Sequence, residues 1–469
     1  MMPSDYALPK LSFSSGTLLL ERCPRRAIER VFGPLGWVWD ARAGAWRSDA
    51  IHYAAVRRRL DESHLACEDS VPQWHAVAWP QVTLHPLRTE QSEAVAAWRH
   101  SRRACIVMPT GTGKTEVALS IVAEAAVSTL VVAPVRDLMY QWHRRILQGL
   151  GYDAGVIGDS VCRVRPVSVT TYESAFIHME RLGNQFGLIV FDECHHLPGP
   201  VRRDAALMCA APLRLGLTAT PERSDGRQAD LPELIGPIAY EMPLAKARGK
   251  TLAEYEVVRI PVYLSPDEQA RYDLLSHIVR KYVIERTKVD PRFSWEDVCG
   301  ETASEPEARR AVRAFHAKKS IEERATEKLR VLEDLFRLHA GSRTIVFAGS
   351  NAMARDISRR FLIPCLLNHC GKKERLDILT GLEDGSYPAV VANRVLDEGV
   401  DLPAAKVAVV LGGTSSTRQA RQRLGRILRK SGNARATLYE VVCADTNEDQ
   451  RSRRRRGSDA YQGTRHRRL

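Results

Sequence analysis

The sequence Cys105-Ile-Val-Met-Pro-Thr-Gly-Thr-Gly-Lys-Thr115 sets the architecture that we expect for the whole chain. Its apolar start predicts a buried strand, its middle is rich in glycine, and the residues after Thr115 predict an amphipathic helix. A strand, a glycine loop and a helix N-terminus form a cradle for anions, because backbone N–H groups and the helix dipole point at the bound phosphate. We therefore predict a nucleotide site whose loop consists of Pro109, Thr110, Gly111, Thr112 and Gly113.

The two residues that begin the predicted helix have side chains suited to nucleotide chemistry. Lys114 can reach the β- and γ-phosphates, and the Thr115 hydroxyl can ligate Mg²⁺. Met108 stands where the general phosphate-loop pattern has glycine, which disfavours a loop like that of small GTPases. The alternative, a glycine-rich turn followed by a chance Gly-Lys-Thr, does not account for the strand and the helix on either side.

A second nucleotide contact is predicted upstream of the glycine loop, at Arg88 and Gln91. Both residues lie just before or at the start of a predicted helix that ends near Trp98. The amide of Gln91 has a donor and an acceptor, which suits the N6 and N7 edge of adenine. A polar helix start without a ligand is the alternative for these residues.

An acidic motif follows another predicted strand. Asp192 stands at the strand end, where a carboxylate beside a phosphate cradle can hold Mg²⁺. Glu193 is placed to orient and deprotonate the attacking water. His195 is predicted to link this motif to the Thr-Ala-Thr that follows the next strand, whose hydroxyls on Thr218 and Thr220 are suited to hydrogen bonds with the acidic motif and a neighbouring domain.

Short apolar runs alternate with predicted helices over most of the chain. This alternation is typical of α/β proteins with parallel, doubly wound sheets, in which ligands bind beyond the carboxyl ends of the strands. We predict two such lobes, a small N-terminal α/β module and a helical insert between or within the lobes. The expected boundaries are 1–75 for the module, 76–245 for lobe 1, 246–330 for the linker and insert, 331–445 for lobe 2 and 446–469 for a basic, disordered tail.

Three further segments have patterns that predict local structure. In the first module, which is rich in Trp and Arg, we predict one strand over 11–20 and a hairpin over 37–46. We favour core positions for the tryptophans of this module, with base stacking as the alternative. Before lobe 2 the pattern predicts a helix from Glu323 to Leu338.

The net charge of the chain is +13 at neutral pH, and +7 of it lies in residues 451–469, which contain eight Arg and one Asp. The remainder is still basic, so a polyanionic partner fits both parts. A solubilising end is the alternative for the tail. The absence of long apolar runs and of a signal-peptide layout, together with ten scattered cysteines, predicts a cytoplasmic protein, which we expect to associate with the nucleoid.

Two motifs in the second half complete the set. Gly399 and Asp401 lie in a predicted strand-to-loop segment and are expected to contact the nucleotide. Gln422, Arg426 and Arg429 fall near one helical face, spaced i, i+4 and i+7, and an Arg there can fork onto phosphate oxygens during catalysis. A basic amphipathic helix without catalytic role is the alternative.

Together these motifs resemble those of superfamily 2 helicases and translocases, over residues 84–443. Within that superfamily the chain most resembles the XPB-like branch (xeroderma pigmentosum group B helicase), in particular its short prokaryotic forms. The stretches that support this resemblance are Leu217–Arg227, Val395–Asp401 and Gln422–Arg429. The first 75 residues resemble the damage-recognition module of that branch, and the insert after Leu264 stands where the branch has a helical thumb that grips DNA.

The resemblance implies two RecA-like lobes with ATP in the cleft between them and DNA across both. It also implies Mg²⁺-dependent hydrolysis coupled to stepping, with 3′-to-5′ polarity and a role in DNA repair. Coupling residues or DNA contacts in the matching motifs would be Pro134, Thr170, His195, Thr218, Thr220, Arg223 and Asp225.

One triplet departs from the branch. The Arg-Glu-Asp that the branch links to strand separation is here Arg223-Ser224-Asp225, so translocation is expected more firmly than unwinding. Three other functions stay open: a double-strand translocase subunit of a restriction or defence system, an ATP-gated DNA clamp that recruits a partner nuclease, and an RNA helicase. We expect the chain to be a monomer.

Overall fold

The structure is a computed structural model that describes residues 8–33, 35–223, 225–243, 246, 255–302, 304–367, 369–393, 405–412, 436–456 and 465–466. The chain divides into two compact units, Met1–Pro243 and Leu244–Leu469. The first unit contains two sheets and the second contains one. Within the described ranges, no helix has both the length and the apolar character needed to span a bilayer.

The N-terminal module is built on a five-stranded sheet. Its strands are β1 (Lys10–Ser14), β2 (Thr17–Glu21), β3 (Val38–Asp40), β4 (Ala45–Asp49) and β5 (Glu68–Asp69), and its helices are α1 (Arg25–Ala27) and α2 (Tyr53–Glu62). The strand order is β3-β4-β2-β1-β5. One face of the sheet packs on α2 through buried residues such as Leu11, Leu20 and Val56.

The predicted single strand over 11–20 is wrong. Ser15 (φ 48°) and Gly16 (φ 76°) have left-handed backbone and reverse the chain, so β1 and β2 pair antiparallel. Ser-Gly is a turn dipeptide, but the apolar residues after it hide the signal. The predicted hairpin over 37–46 is confirmed, because β3 pairs with β4 and Trp39 lies opposite Trp46. Trp46 packs against the core of the module, whereas Trp39 is 52% exposed.

Lobe 1 is an eight-stranded sheet with helices on its faces. The order is β13-β6-β12-β11-β7-β10-β8-β9, and all pairs are parallel except β8 with β9. The strands are β6 (Arg103–Val107), β7 (Thr129–Ala133), β8 (Gly155–Gly158), β9 (Val161–Arg163), β10 (Val167–Thr171), β11 (Leu188–Asp192), β12 (Leu213–Thr218) and β13 (Ile238–Glu241). The helices are α3 (Thr89–Ser101), α4 (Lys114–Ala125), α5 (Arg136–Leu150), α6 (Tyr172–Leu182), α7 (Asp204–Leu207) and α8 (Leu231–Leu234). The central strands are buried on both faces, which explains their continuous apolar sequence.

The second unit contains a seven-stranded sheet in which every described pair is parallel. The order is β16-β17-β15-β18-β19-β14-β20. The strands are β14 (Tyr255–Val262), β15 (Thr344–Phe347), β16 (Cys365–Leu366), β17 (Ala389–Ala392), β18 (Val407–Val410), β19 (Ala436–Cys443) and β20 (Arg465–His466). Helices α9 (Pro266–Val289), α10 (Trp295–Glu301) and α11 (Pro306–Arg324) form the predicted insert, and α12 (Thr326–Leu338), α13 (Asn351–Phe361), α14 (Lys372–Asp384) and α15 (Asn447–Arg456) complete the unit. The predicted fold class, two parallel α/β lobes with a small module and a helical insert, is confirmed.

The predicted helix from Glu323 to Leu338 is wrong at its start. Ala325 has extended backbone (φ −48°, ψ 128°), so α11 ends one residue before it and α12 begins one residue after it. The Glu268 carboxylate accepts hydrogen bonds from the N–H and the hydroxyl of Thr326, at 3.0 and 2.9 Å, and so caps the new helix. Because this partner lies 58 residues earlier, the local sequence does not reveal the break.

The predicted disordered tail is wrong for residues 447–456, which form α15. Glu448 is 2% exposed, and both of its oxygens accept from the Lys328 ammonium, at 2.8 and 2.7 Å. Arg451 pairs with the Glu322 carboxylate at the end of α11. Buried partners on other elements therefore order a segment whose own composition is that of a solvated end.

We expect Lys328→Met to destabilise the second unit by roughly 3–5 kcal/mol, because the Glu448 carboxylate would be left buried without its cation. Urea denaturation followed by far-ultraviolet circular dichroism measures this loss. Arg330→Met on the same helix is the matched control, since its side chain is 67% exposed and its pair with Glu327 should contribute less than about 1 kcal/mol. Equal losses in the two variants would contradict the buried ion pair as the anchor of α15.

Candidate nucleotide-binding site

The loop between β6 and α4 has the backbone geometry that glycine permits. Gly111 and Gly113 both have a φ of 85°, a left-handed conformation that other residues adopt only at a cost. A Cβ atom on Gly113 would also lie 2.3 Å from Nε2 of Gln91. The left-handed backbone therefore favours glycine at this position, and a Cβ would also displace the Gln91 amide from its hydrogen bond with the loop.

Hydrogen bonds tie this loop to the neighbouring strand and leave donors for an anion. The N–H of Met108 donates to the carbonyl of Thr218 at 3.0 Å. The Lys114 ammonium donates to the carbonyl of Met108 at 3.2 Å, so the lysine lies folded over the loop. The hydroxyl of Thr110 is buried and has no hydrogen-bond partner within the described part of the chain. Lys114 and Thr110 thus have the chemistry to bind a polyphosphate.

Arg88 and Gln91 support the loop from α3. The Gln91 amide donates to the carbonyl of Thr112 at 3.0 Å, and its oxygen accepts from the N–H of Arg88 at 2.9 Å. The Arg88 guanidinium donates to the same carbonyl, while the Thr112 hydroxyl donates to the carbonyl of Pro109 at 2.7 Å. Gln91 is 2% exposed and both ends of its amide are used within the chain, so its contact with adenine stays a prediction.

Asp192 ends β11 at the same edge of the sheet. Its carboxylate accepts from the indole N–H of Trp142 at 2.8 Å and from the N–H of Glu193 at 3.0 Å. Burial, and after it the charge of Glu193, raises the pKa of Asp192 to about 6, against the lowering effects of the Trp142 hydrogen bond and the Lys114 charge. Since the negative charge of this carboxylate is poorly compensated, a divalent cation bound here would stabilise it.

Glu193 combines an unfavourable backbone conformation with a buried carboxylate oxygen that makes no hydrogen bond among the described residues. Its φ of 46° and ψ of 54° lie in the left-handed region, which non-glycine residues rarely occupy. Its Oε2 is buried, lies 3.4 Å from Nδ1 of His195, and makes no hydrogen bond to any other described residue. Strain and an underused polar atom are typical of side chains that are held for chemistry.

His195 and Thr218 connect the acidic motif to the end of β12. Nδ1 of His195 and the Thr218 hydroxyl are both fully buried and 2.9 Å apart. The same hydroxyl donates to the carbonyl of Thr220 at 3.0 Å. Arg223 donates to the carbonyl of His195 at 2.5 Å and forks onto Asp225 at 2.8 and 2.6 Å, and this guanidinium holds the pKa of Asp225 well below its usual range. A chain of hydrogen bonds therefore joins these motifs.

Pro134 and Thr170, which were predicted among the coupling residues or DNA contacts, are also buried in lobe 1. Thr170 is 1% exposed, and its hydroxyl donates to the carbonyl of Ile157 at 2.7 Å. Pro134, directly after β7, is also buried. Neither offers a surface to DNA in this structure. Thr115, the predicted Mg²⁺ ligand, is half-buried in the first turn of α4. The roles of all three stay predictions.

The remaining predicted site residues lie outside the described residues. They are Gly399, Asp401, Gln422, Arg426 and Arg429, together with Ser224 of the departing triplet.

Two groups that contact Asp192 were not predicted from the sequence, the indole of Trp142 and the hydroxyl of Tyr172. Trp142 lies on the apolar stripe of α5 with Met139 and Ile146, and that spacing predicts a core residue. The only available signal is the polar tip of the indole, which needs a partner when buried. The hydroxyl of Tyr172 donates to the backbone carbonyl of Asp192 at 2.9 Å. Two aromatic residues thus hold the carboxylate and the carbonyl of Asp192.

A phosphate cradle after one parallel strand, with an acidic pair at the end of a near neighbour, defines a phosphate-loop NTPase core. Three family descriptions match the chain. Residues 11–71 match the xeroderma pigmentosum group B helicase damage recognition domain, residues 84–223 match the type III restriction enzyme res subunit, and residues 327–431 match the helicase conserved C-terminal domain.

Relatives known by name place the chain more narrowly. The "DNA 3'-5' translocase XPB2" of Sulfurisphaera tokodaii is 39% identical over 423 residues, which cover 90% of this chain and 96% of the relative. The "DNA 3'-5' helicase XPB" of Kineococcus radiotolerans is 31% identical over 392 residues, 80% of this chain and 63% of the relative. The chain belongs to the XPB family of superfamily 2 helicases, as the sequence motifs predicted.

Solved structures with low sequence identity share the fold. The Hef helicase domain of Pyrococcus furiosus has a TM-score of 0.51 and 18% identity, with 77% of this chain and 97% of that chain covered. Dbp5 of S. cerevisiae bound to RNA and ADP BeF3 has a TM-score of 0.54 and 14% identity, with 81% and 89% covered. These likenesses show the RecA-like fold.

We expect Trp142→Phe to raise the pKa of Asp192 further, because it removes an N–H that stabilises the charged carboxylate. Asp192 would then become protonated at a higher pH, so the acidic limb of ATP hydrolysis should move upward in pH. The half-saturating Mg²⁺ concentration should rise by about 10- to 100-fold, as for other residues that support a metal ligand. Steady-state assays over pH and Mg²⁺ concentration measure both changes.

Trp79→Phe is the matched control for this change. It removes an indole N–H that donates to the carbonyl of Ala123 at 3.0 Å, in the same unit but on a different contact. An acidic limb that stays in the same place in Trp142→Phe and in the control would contradict the role of Trp142.

Proposed function

We propose that this chain is an ATP-driven DNA translocase that hydrolyses ATP at the loop 109–115 and moves on duplex DNA with 3′-to-5′ polarity. The family to which it belongs uses ATP, and both relatives cited above are named for 3′-to-5′ action on DNA. The observation that most supports coupled hydrolysis is that Thr218 bonds to Met108 of the phosphate loop and to His195 of the acidic motif. Thr218 therefore contacts both the phosphate-loop segment and the acidic motif.

The side chains described above divide the work of hydrolysis. Lys114 and the loop N–H groups bind the phosphates, and Glu193 takes the proton from the attacking water. Thr115 and Asp192 would hold Mg²⁺, which neutralises phosphate charge when bound. The raised pKa of Asp192 supports this assignment of Mg²⁺, because burial disfavours a charged carboxylate that has no cation beside it.

The second lobe supplies the remaining groups in this proposal. In it Arg426 and Arg429 stabilise the charge that develops on the γ-phosphate, since a guanidinium stays charged and forks onto phosphate oxygens, and Gln422 belongs to the same catalytic motif. Gly399 and Asp401 contact the nucleotide from the same lobe. Arg223 and Asp225 link hydrolysis to DNA movement through the carbonyl of His195. We also propose a role in DNA repair, which membership of the XPB family supports.

A second candidate function is that of a double-strand translocase in a restriction or defence system. The match of residues 84–223 to the type III restriction enzyme res subunit favours it. A nuclease would then be a partner protein, and the chain would act as a monomer on DNA of the cytoplasmic nucleoid in either case. Movement on duplex DNA is common to both candidates, and the serine at position 224 favours movement over strand separation.

The test compares nucleic acids as activators of ATP hydrolysis. Duplex DNA should stimulate wild-type turnover more than RNA does, and a third strand bound to duplex DNA should be displaced in an ATP-dependent manner. Glu193→Gln should bind ATP and hydrolyse almost none, because it lacks the base but keeps the cradle, whereas Lys114→Ala should lose binding as well. Stimulation by RNA alone would contradict the proposal, and so would near-normal turnover in Glu193→Gln.

A further inference from the structure

Arg202 lies at the outer end of a set of contacts that leads to Asp192. Its guanidinium is 2.5 Å from the Glu173 carboxylate and 3.3 Å from Nδ1 of His196. It also lies over the ring of Tyr172, with Cζ 5.7 Å from the ring centre. The side chain of Arg202 is 34% exposed, so it is accessible from solvent while it also contacts Tyr172 and His196.

Tyr172 and His196 extend these contacts into the nucleotide site. Tyr172 is fully buried, stacks on Phe191 with ring centres 6.2 Å apart, and donates its hydroxyl proton to the carbonyl of Asp192 at 2.9 Å. The rings of His196 and His195 lie 4.2 Å apart. A shift of the Arg202 guanidinium would therefore move groups on two sides of the acidic motif, since packed interiors transmit small displacements.

Glu173 is the exchangeable partner of Arg202. Its side chain is 57% exposed, and exposed ion pairs contribute little to stability. The contacts of Arg202 with Tyr172 and His196, by contrast, keep the guanidinium next to both rings when its outer partner changes. Like a carboxylate, a phosphodiester group presents two oxygens that a guanidinium can bind together. It also keeps its negative charge at all physiological pH values.

The surroundings favour an anion at this position. Glu173 lies in the first turn of α6, an 11-residue helix that begins directly after Thr171. The Thr171 hydroxyl accepts from the N–H of Ser174 at 3.3 Å, and the helix dipole favours negative charge at this end. Tyr172 follows β10 directly, so this surface is at the carboxyl edge of the sheet, the edge at which Asp192 ends β11.

We propose that Arg202 binds a backbone phosphate of DNA in place of Glu173 and that Tyr172, as a positioning residue, transmits this exchange to Asp192. The inference rests on the proposed DNA-dependent ATPase. It assigns a phosphodiester site to a residue outside all the motifs identified above, and it gives a route from DNA on the surface of lobe 1 to the backbone carbonyl of Asp192.

A double-mutant cycle tests the exchange. Glu173→Gln removes the competing carboxylate, so it should tighten binding of a duplex oligonucleotide several-fold. Arg202→Gln should weaken binding and lower the log–log salt slope by about 0.9, the value for one lost phosphate contact. In the Arg202→Gln background, Glu173→Gln should change DNA affinity no more than the control substitution Glu180→Gln does. Fluorescence anisotropy at several salt concentrations gives all four affinities.

The matched controls lie on the same helix. Glu180→Gln removes an exposed carboxylate at the far end of α6, and Arg181→Gln removes an arginine that contacts the Cys162 thiol there. An equal gain in affinity from Glu173→Gln and Glu180→Gln would overturn the proposal, because it would show only general electrostatics. A Glu173→Gln gain that persists without Arg202 would overturn it as well.

Tyr172→Phe tests the positioning role, since it deletes only the hydroxyl. Its kcat at saturating DNA should fall about tenfold while the KM for ATP stays within twofold of wild type, as expected when a supporting hydrogen bond is lost. Arg202→Lys keeps one charge without the fork, so it should retain the salt slope but lose most of the DNA stimulation of kcat. If Arg202→Gln has a lowered unfolding midpoint, Arg202→Lys replaces it as the variant with which the role of Arg202 is tested.

The failures of the two proposals can be told apart. Wild-type protein without DNA-stimulated hydrolysis would overturn the proposed function itself. Wild-type protein that is stimulated by DNA, with additive effects in the cycle or an unchanged kcat in Tyr172→Phe, would overturn only the role of Arg202 and Tyr172.

Discussion

The position of β12 between β6 and β11 is the constraint on which the nucleotide site depends. All three strands are parallel, and their register pairs Val107 with Thr218 and Asp192 with Leu217. The phosphate loop, the acidic pair and the threonine motif therefore start from one edge of the sheet. Gly216 in β12 is necessary for this arrangement, since a Cβ atom there would lie 2.8 Å from Ile235 and 3.0 Å from the thiols of Cys105 and Cys194.

The site lowers the stability of the folded protein, and the apolar core around it offsets this loss. Asp192 is a partly buried carboxylate with a raised pKa, and Glu193 has left-handed backbone and a carboxylate oxygen that makes no hydrogen bond among the described residues. Asp192 ends β11 and Glu193 follows it directly, and every residue of β11 before Asp192 is buried and apolar. Strain and uncompensated charge are tolerated at functional sites when rigid elements hold them, and stability is lost there in exchange for activity.

Motifs with fixed spacing could be predicted because their geometry is local. The strand, the glycine loop and the helix of 105–125 follow one another without interruption, and the alternation of strands and helices predicts the parallel sheets. Elements that depend on distant partners could not be predicted. Glu268 stabilises the break at Ala325, and Lys328 stabilises the highly charged helix α15 from 120 residues away.

The roles of side chains in the site could be predicted only in part, because some of them depend on partners that are distant in the sequence. Lys114, Asp192 and Glu193 have residue types that phosphate chemistry requires, so the sequence is sufficient to nominate them. Trp142 has the spacing of a core residue, and its bond to Asp192 depends on the packing of α5 against the sheet. Arg202 belongs to no motif, and only its contacts with Tyr172 and Glu173 distinguish it from other surface arginines.

In the function that we propose, Thr218 couples the phosphate loop to the acidic motif and to the turn beyond it. The most direct measurement is the DNA-stimulated ATP hydrolysis of Thr218→Val beside that of Thr218→Ser. Valine has the same shape without the hydroxyl, and serine keeps the hydroxyl that bonds to His195 and Thr220. We expect Thr218→Val to lose most of its stimulation by DNA and Thr218→Ser to retain it. Stimulation of Thr218→Val equal to that of the wild-type protein would show that the Thr218 hydroxyl does not couple the two motifs.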